Sequence, residues 1–277
     1  MLFRSCEKGI FIVDCTLNNS EEVLEIVKLL KEESFSEWIE PVLMNNVETC
    51  NYYYGFQYYL KNTGQYGGTE GMDINVEPAW QIVEGSSDVT VAIIDMGVDF
   101  DHIDMSNCVL NGYTVDDPSS LGRPKNANNL DKKWHGVGCA GIVGAEDNST
   151  GIKGVAYGTR ILPVNIAPDS AFNYTNEAGV NTINEGFSNS AKIAQAIRWA
   201  YQRADILSCS WKSVPCQLIE DAVNEARLYG RDGKGSIVVA SSGNYFHEDS
   251  LDVAFPACID GVIAVGALDM RSEEQHV

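Results

Sequence analysis

Asp95, His135 and Asn244 are the residues of this sequence whose types and placement could do chemistry together. Asp95 ends an apolar run, VTVAIID (89–95). A carboxylate at a strand end can act in catalysis, hold a metal, bind a ribose or cap the next element. His135 is one of 4 histidines and stands at the start of an expected helix over 134–144. A helix N-terminus disfavours imidazolium and keeps the ring available as a base, unless a carboxylate such as Asp95 restores the balance. Asn244 lies in Ser242-Gly243-Asn244, after the strand-like run SIVVA (236–240). A side-chain amide on a turn there can donate to a developing oxyanion. Taken singly, each has a plainer reading: a cap, a structural histidine, and an ordinary Gly-Asn turn.

A sheet would bring these residues together. Near-continuous apolar runs at 89–95, 160–166, 206–210 and 236–240 alternate with helical patterns at 134–144, 190–203 and 219–229, and a further run begins at 262. Strands apolar on both faces, separated by helices, imply an α/β fold with a doubly wound, mostly parallel sheet. In such a sheet the groups that meet ligands gather at the carboxyl ends of the strands. That rule puts Asp95, Ser210 and Asn244 on one edge.

The chain before residue 78 reads differently. Residues 9–15 form a strand-like run, and Asn18-Asn19-Ser20 then caps an acid-rich helix start whose Val23, Ile26, Val27, Leu29 and Leu30 share a face. Residues 37–43 return as a strand, so 1–48 is expected to be a small βαβ unit with little core of its own. Residues 49–77 mix tyrosines (Tyr52, Tyr53, Tyr54, Tyr58, Tyr59, Tyr66) with glycines and read as an irregular connector. The main domain is expected over 78–277.

Composition narrows the function. With 19 Lys and Arg against 39 Asp and Glu, the formal charge is −20, a field that repels nucleic acid and anionic membranes. No run reaches the length of a membrane span, and the N-terminus lacks the features of a signal peptide. None of the 8 cysteines forms a C-x-x-C pair, and Cys209, inside an apolar strand pattern, is expected to be a buried thiol. Gly230-Arg231-Asp232-Gly233-Lys234-Gly235-Ser236 imitates a phosphate loop. A P-loop needs a strand before it and a helix after, and here the order is reversed.

Taken in order, VAIIDMGVD (91–99), HGVGCAG (135–141), DNSTGIKGVAY (147–157), ILSCSW (206–211), SIVVASSGN (236–244) and FPACIDGVIAVGALD (255–269) resemble the subtilisin-like serine peptidases. Cys139, Gly154-Val155-Ala156-Tyr157, Ser208-Cys209-Ser210-Trp211 and the Gly230–Ser236 stretch lean towards the kexin and furin branch. The resemblance implies a serine endopeptidase acting on polypeptides, with Asp95 as catalytic acid, His135 as general base and Asn244 as oxyanion donor. It implies that Ser210 and Trp211 bind substrate backbone. It also implies a structural calcium ion on Asp104 and Asn148 with the carbonyls of Glu146, Thr150 and Ile152. Residues 1–48 resemble the end of the family's prodomain, and the family's setting is secreted or cell-surface.

The sequence departs from the family pattern at its nucleophile. The family serine lies in a Gly-Thr-Ser-x-Ala motif downstream of the Val-Gly-Ala segment, and no Gly-Thr-Ser occurs in these 277 residues. Ser188 and Ser190 precede a helix but lack the motif. Val137 and Lys212 replace the usual threonine and glycine. The expectation is therefore a peptidase domain truncated before its serine, inactive alone and in need of the C-terminal part of its own domain. The alternative is a non-catalytic, peptide-binding pseudoprotease. Of the acidic residues that a furin-like preference would need, Glu248, Asp249 and Asp252 are the candidates.

Overall fold

A computed structural model describes residues 53–124, 130–166, 189–244 and 253–271, together with Lys28 and the strands 2–7, 10–14, 173–175 and 181–183. The chain divides into two compact units, Met1–Glu48 and Thr49–Val277. In the first, β1 (Leu2–Glu7) and β2 (Ile10–Asp14) pair antiparallel. β2 falls where the apolar run predicts a strand, whereas β1 was not expected. The expected second strand over 37–43 lies outside the described residues, as does the expected helix apart from Lys28, which is helical.

The second unit is built on a six-stranded sheet of β3 (Thr90–Asp95), β4 (Tyr113–Thr114), β5 (Arg160–Asn165), β8 (Ile206–Cys209), β9 (Ile237–Ser241) and β10 (Ile263–Val265). Its order is β10-β9-β8-β3-β5-β4, and every pairing in it is parallel. A separate antiparallel pair, β6 (Asn173–Thr175) and β7 (Asn181–Ile183), lies between β5 and β8 in sequence. The helices are α1 (Val76–Trp80), α2 (Leu130–Gly144), α3 (Ser190–Tyr201) and α4 (Gln217–Gly233).

Side chains along a strand alternate between faces, and the core divides accordingly. Ala92 and Ile94 of β3 join Leu162, Val164, Leu207, Cys209, Val238 and Ala240 in one buried cluster, against α3 and α4. Val91 and Ile93 join Ile161, Met105, Val137 and Ala140 in a second, against α2. Both faces of β3 are thus covered, which is why its sequence is apolar without interruption. Beyond β8 the α2 face changes. Ile237 of β9 and Ile263 and Val265 of β10 are 43%, 52% and 49% exposed.

Residues 53–80 pack into the same unit. Gln57, almost fully buried, bonds both backbone groups of Lys153, and the Trp80 indole donates to the Val155 carbonyl at 2.8 Å. The phosphate-loop look-alike is the turn from α4 into β9. Helical geometry breaks at Gly230–Asp232, and a Cβ on Gly230 would lie 2.0 Å from the Ser236 hydroxyl.

Candidate active site

β3 sits where the chain reverses its direction of winding, with β5 and β4 on one side and β8, β9 and β10 on the other. A crevice opens at such a point, outside the strands' carboxyl ends. Asp95 is the last residue of β3 and pairs with Asn165 at the end of β5, which in turn pairs with Thr114. This polar row is buried, and loop 97–124 satisfies it. Gly122 N donates to Thr114 Oγ1 at 3.0 Å, and Asn165 Nδ2 donates to the Arg123 carbonyl at 2.9 Å.

By alternation Asp95 shares the face of Val91 and Ile93, where α2 lies. His135 of α2 meets it there, with Nδ1 2.9 Å from both Asp95 oxygens. The contact needs a bare backbone. A Cβ on the next residue, Gly136, would lie 2.3 Å from the Gly97 carbonyl oxygen and 3.2 Å from Asp95 Oδ1. Gly97 itself has φ +97, and Val98 N donates to the Gly122 carbonyl at 3.1 Å, which turns the chain tightly after Asp95.

The carboxylate is 3% exposed and the imidazole 51%. Asp95 Oδ1 also accepts from the Met96 amide at 2.7 Å. A buried anion with few partners holds a proton on the facing ring, so the His135 pKa is pushed up to about 10. The hydrogen bond from Asp95 is the main cause, with a contribution from Cys139 and opposition from burial. One expectation needs correction. The helix begins at Leu130, so His135 lies in its second turn rather than at its start. The helix-dipole effect fades within the first turn, and Asp95 dominates the ring's electrostatics.

The remaining expected residues separate into groups. Continuing the register of Ile93↔Ser208 sets Ser210 level with Asp95, just past β8. Trp211 ties that segment to the sheet, its indole donating to the Ile94 carbonyl at 2.8 Å. Asn244 is exposed, three residues past the end of β9 and on the same edge of the sheet. Ser190 opens α3, which covers the opposite face from α2, and its hydroxyl is hydrogen-bonded to Cys216. Ser188, Glu248, Asp249 and Asp252 lie outside the described residues.

Loop 146–152 wraps around Asp104. Its Oδ2 accepts from the Ile152 amide at 2.9 Å, and a Cβ on Gly151 would lie 2.2 Å from that oxygen. Asp104 Oδ1 is buried with no hydrogen-bond partner among the described residues, and burial raises the carboxyl's pKa. Asn148 Oδ1 accepts from the Thr150 amide at 2.9 Å, and the Glu146 carboxylate is held by Asn107. An orphaned carboxylate oxygen beside a loop of oxygen donors suits a hard cation.

Sequence reasoning gave no role at the site to Gly136, Gly97, Asn165 or Cys139. The glycines were visible only as motif letters, since their function is to leave space. Cys139 sits one helical turn after His135, with its sulfur 3.9 Å from Nδ1. That i, i+4 spacing was legible as a shared helix face.

Comparisons with known proteins bear on the family and the fold. A thermophilic serine proteinase from Bacillus sp. (strain AK1) is 35% identical over 251 residues, 88% of this chain and 52% of that protein. Neuroendocrine convertase 2 from Caenorhabditis elegans is 30% identical over 94% of this chain and 40% of its own length. The chain thus spans about half, or less, of the curated relatives it matches. Among solved structures, fervidolysin from Fervidobacterium pennivorans, a keratinolytic enzyme related to subtilisin, is 28% identical, with a TM-score of 0.52 over 70% of this chain and 26% of that one. The Aeromonas sobria serine protease, solved with its chaperone, shares the fold at a TM-score of 0.63 and 18% identity, over 83% of this chain and 41% of that one. The family model for the subtilases matches residues 86–276, which contain the whole parallel sheet and the Asp95–His135 pair, and the chain belongs to the subtilase family.

Proposed function

We propose that this chain carries the acid and base of a subtilisin-like serine endopeptidase whose nucleophile lies outside these 277 residues. The observation that carries the reading is the two-oxygen contact of Asp95 with His135 Nδ1 at the crevice. With Nδ1 directed at Asp95, Nε2 is the atom left to take a proton from an attacking hydroxyl. Asp95 holds the tautomer and stabilises the cation that forms. Asn244 donates to the oxyanion, a contact typically worth about 3 kcal/mol in the transition state. Ser210 and Trp211 pair with the backbone of a polypeptide substrate.

The apolar strip of Ile237, Ile263 and Val265 supports the second part of the proposal. It lies on the sheet face that α2 covers elsewhere, and further chain packing there would bury it beside the crevice. Asp104, Asn148 and the carbonyls of Glu146, Thr150 and Ile152 would hold calcium, which would neutralise the orphaned carboxylate and fix the loop. The unit 1–48 serves as the prodomain remnant, and the kexin and furin branch and a secreted or cell-surface setting belong to the same proposal. Among the described residues no helix is long and apolar enough to cross a membrane.

The test is labelling by a fluorophosphonate probe. The 277-residue chain should not label. A chain extended with the downstream coding sequence should label at a serine outside these residues and lose labelling in His135→Ala. An extended chain that folds, binds peptide and never labels would favour the pseudoprotease reading. Labelling of the short chain at Ser188 or Ser190 would sink the account of the nucleophile.

A further inference from the structure

Side-chain alternation along β8 continues past its last residue. Leu207 and Cys209 belong to the buried cluster under α3 and α4, and Trp211 packs against the same cluster. Ile206 packs against the cluster on the α2 face. Even-numbered positions therefore look towards α2, and the two that follow Ser208 are Ser210 and Lys212. Ile93 pairs with Ser208, so Ser210 is level with Asp95 and Lys212 stands roughly 7 Å further out, on the His135 face of the crevice. Lys212 is exposed. Three stretches of chain meet at this end of the sheet: Ser213 N donates to the Phe255 carbonyl at 3.0 Å, and Ala254 N to the Ser242 carbonyl at 2.8 Å. Within 210–216, 241–244 and 254–259, Lys212 is the only charged residue. The carboxylate level with Ser210, Asp95, already faces the His135 imidazolium.

We propose that Lys212 is a specificity-determining residue of the crevice and selects polypeptide segments that carry an acidic side chain where they pass it. The inference rests on the reading above, in which Ser210 and Trp211 hold a substrate's backbone. A backbone held there brings one of its side chains to the neighbouring Lys212. An ammonium at that point attracts a carboxylate and rejects a lysine or arginine, and rejection of the wrong charge is as much a source of specificity as attraction of the right one. The chain's net charge of −20 opposes an acidic peptide at long range. Salt screens that field beyond about 8 Å, so at contact the nearest charge decides. A preference for basic side chains would need a carboxylate on this segment, and 210–216 has none.

The experiment measures binding of fluorescein-labelled hexapeptides to the 277-residue chain by anisotropy. The peptides are built of alanine and leucine, with a single Glu, Gln or Lys moved through every position. At one position Glu should bind about 5- to 10-fold more tightly than Gln, the scale of a charge pair partly shielded from water, and Lys more weakly than Gln. High salt should shrink the difference. Lys212→Gln should erase it, Lys212→Arg keep it and Lys212→Glu invert it, with melting temperatures unchanged because the side chain is exposed. Lys234→Glu makes the same change of charge in the turn from α4 into β9, at the amino ends of the strands, and should alter no preference. A Glu preference that survives Lys212→Gln overturns the assignment. So does a Lys preference in the unmutated chain, which would hand selection to Glu248, Asp249 or Asp252. Binding without any charge preference sinks the inference and leaves the peptidase reading intact. Peptides that bind neither this chain nor its extended form remove the peptide-binding reading, and the inference with it. An extended chain that shows the Lys212-dependent preference yet never labels with fluorophosphonate refutes the peptidase reading alone.

Discussion

The hydrogen on Gly136 Cα faces the carbonyl oxygen of Gly97, at a separation that admits no larger group. A Cβ there would lie 2.3 Å from that oxygen, so the helix bearing His135 and the turn after Asp95 touch backbone to backbone. The Asp95–His135 pair is therefore positioned by the absence of a side chain as much as by the two that meet.

Gly136→Ala should push α2 away from the turn. Overpacking of this kind costs about 1–3 kcal/mol, which chemical denaturation will read. The separation of Nδ1 from Asp95 should grow at the same time, and the His135 pKa should fall back towards the ordinary histidine value.

NMR titration should find the His135 imidazolium persisting to about pH 10. Asp95→Asn removes the main cause and should return the pKa towards 6.5. The folded state holds this proton more tightly than the unfolded chain. The stability it contributes is therefore fully present below the ordinary histidine pKa and is lost as pH rises through about 10. Denaturation midpoints in the unmutated chain should fall across that alkaline range, and the fall should be smaller in Asp95→Asn. An enzyme completed by its nucleophile should accordingly gain activity as pH rises above neutral.

Calcium should raise the melting temperature through the Asp104 loop. At a concentration 100 times the dissociation constant the gain is about 2.7 kcal/mol. Asp104→Asn should abolish the calcium-dependent increment. Gly151→Ala should do likewise, because its methyl would occupy the space beside Asp104 Oδ2.

Trp211→Phe keeps the ring's bulk and deletes the hydrogen bond to the Ile94 carbonyl. The loss of stability should be about 0.5–1.5 kcal/mol. Peptide binding should weaken further, since the segment after β8 loses its anchor to β3. Equal loss of stability and unchanged peptide binding would separate Trp211 from substrate recognition.

Much of this was legible in the sequence. The runs at 89–95, 160–166, 206–210 and 236–240 fell within a residue or so of β3, β5, β8 and β9, because strands that helices cover are mostly apolar along their length. The start of α2 was set four residues late, at Trp134 instead of Leu130, since Asp131, Lys132 and Lys133 give no apolar periodicity. β4 was missed altogether. It has two residues, and its place is fixed by pairing with β5 rather than by any local pattern. Asp95 and His135 could be paired from motif order, but Gly97 and Asn165 could not, since their roles exist only once a loop folds over the strand ends.

The wholly parallel sheet also sets a timetable. β3 must wait for partners that lie far along the chain: Arg160 pairs with Thr90 and Ile206 with Val91. At ribosomal rates of about 5–20 residues per second, roughly 6–23 s separate the emergence of the two sides of the β3–β8 ladder. Through that interval the strand that carries Asp95 has an open edge, and sheets closed by such distant pairings fold slowly. The same winding that creates the crevice makes the strand that ends in Asp95 the first of the sheet to be made and leaves one of its edges open until β8 emerges.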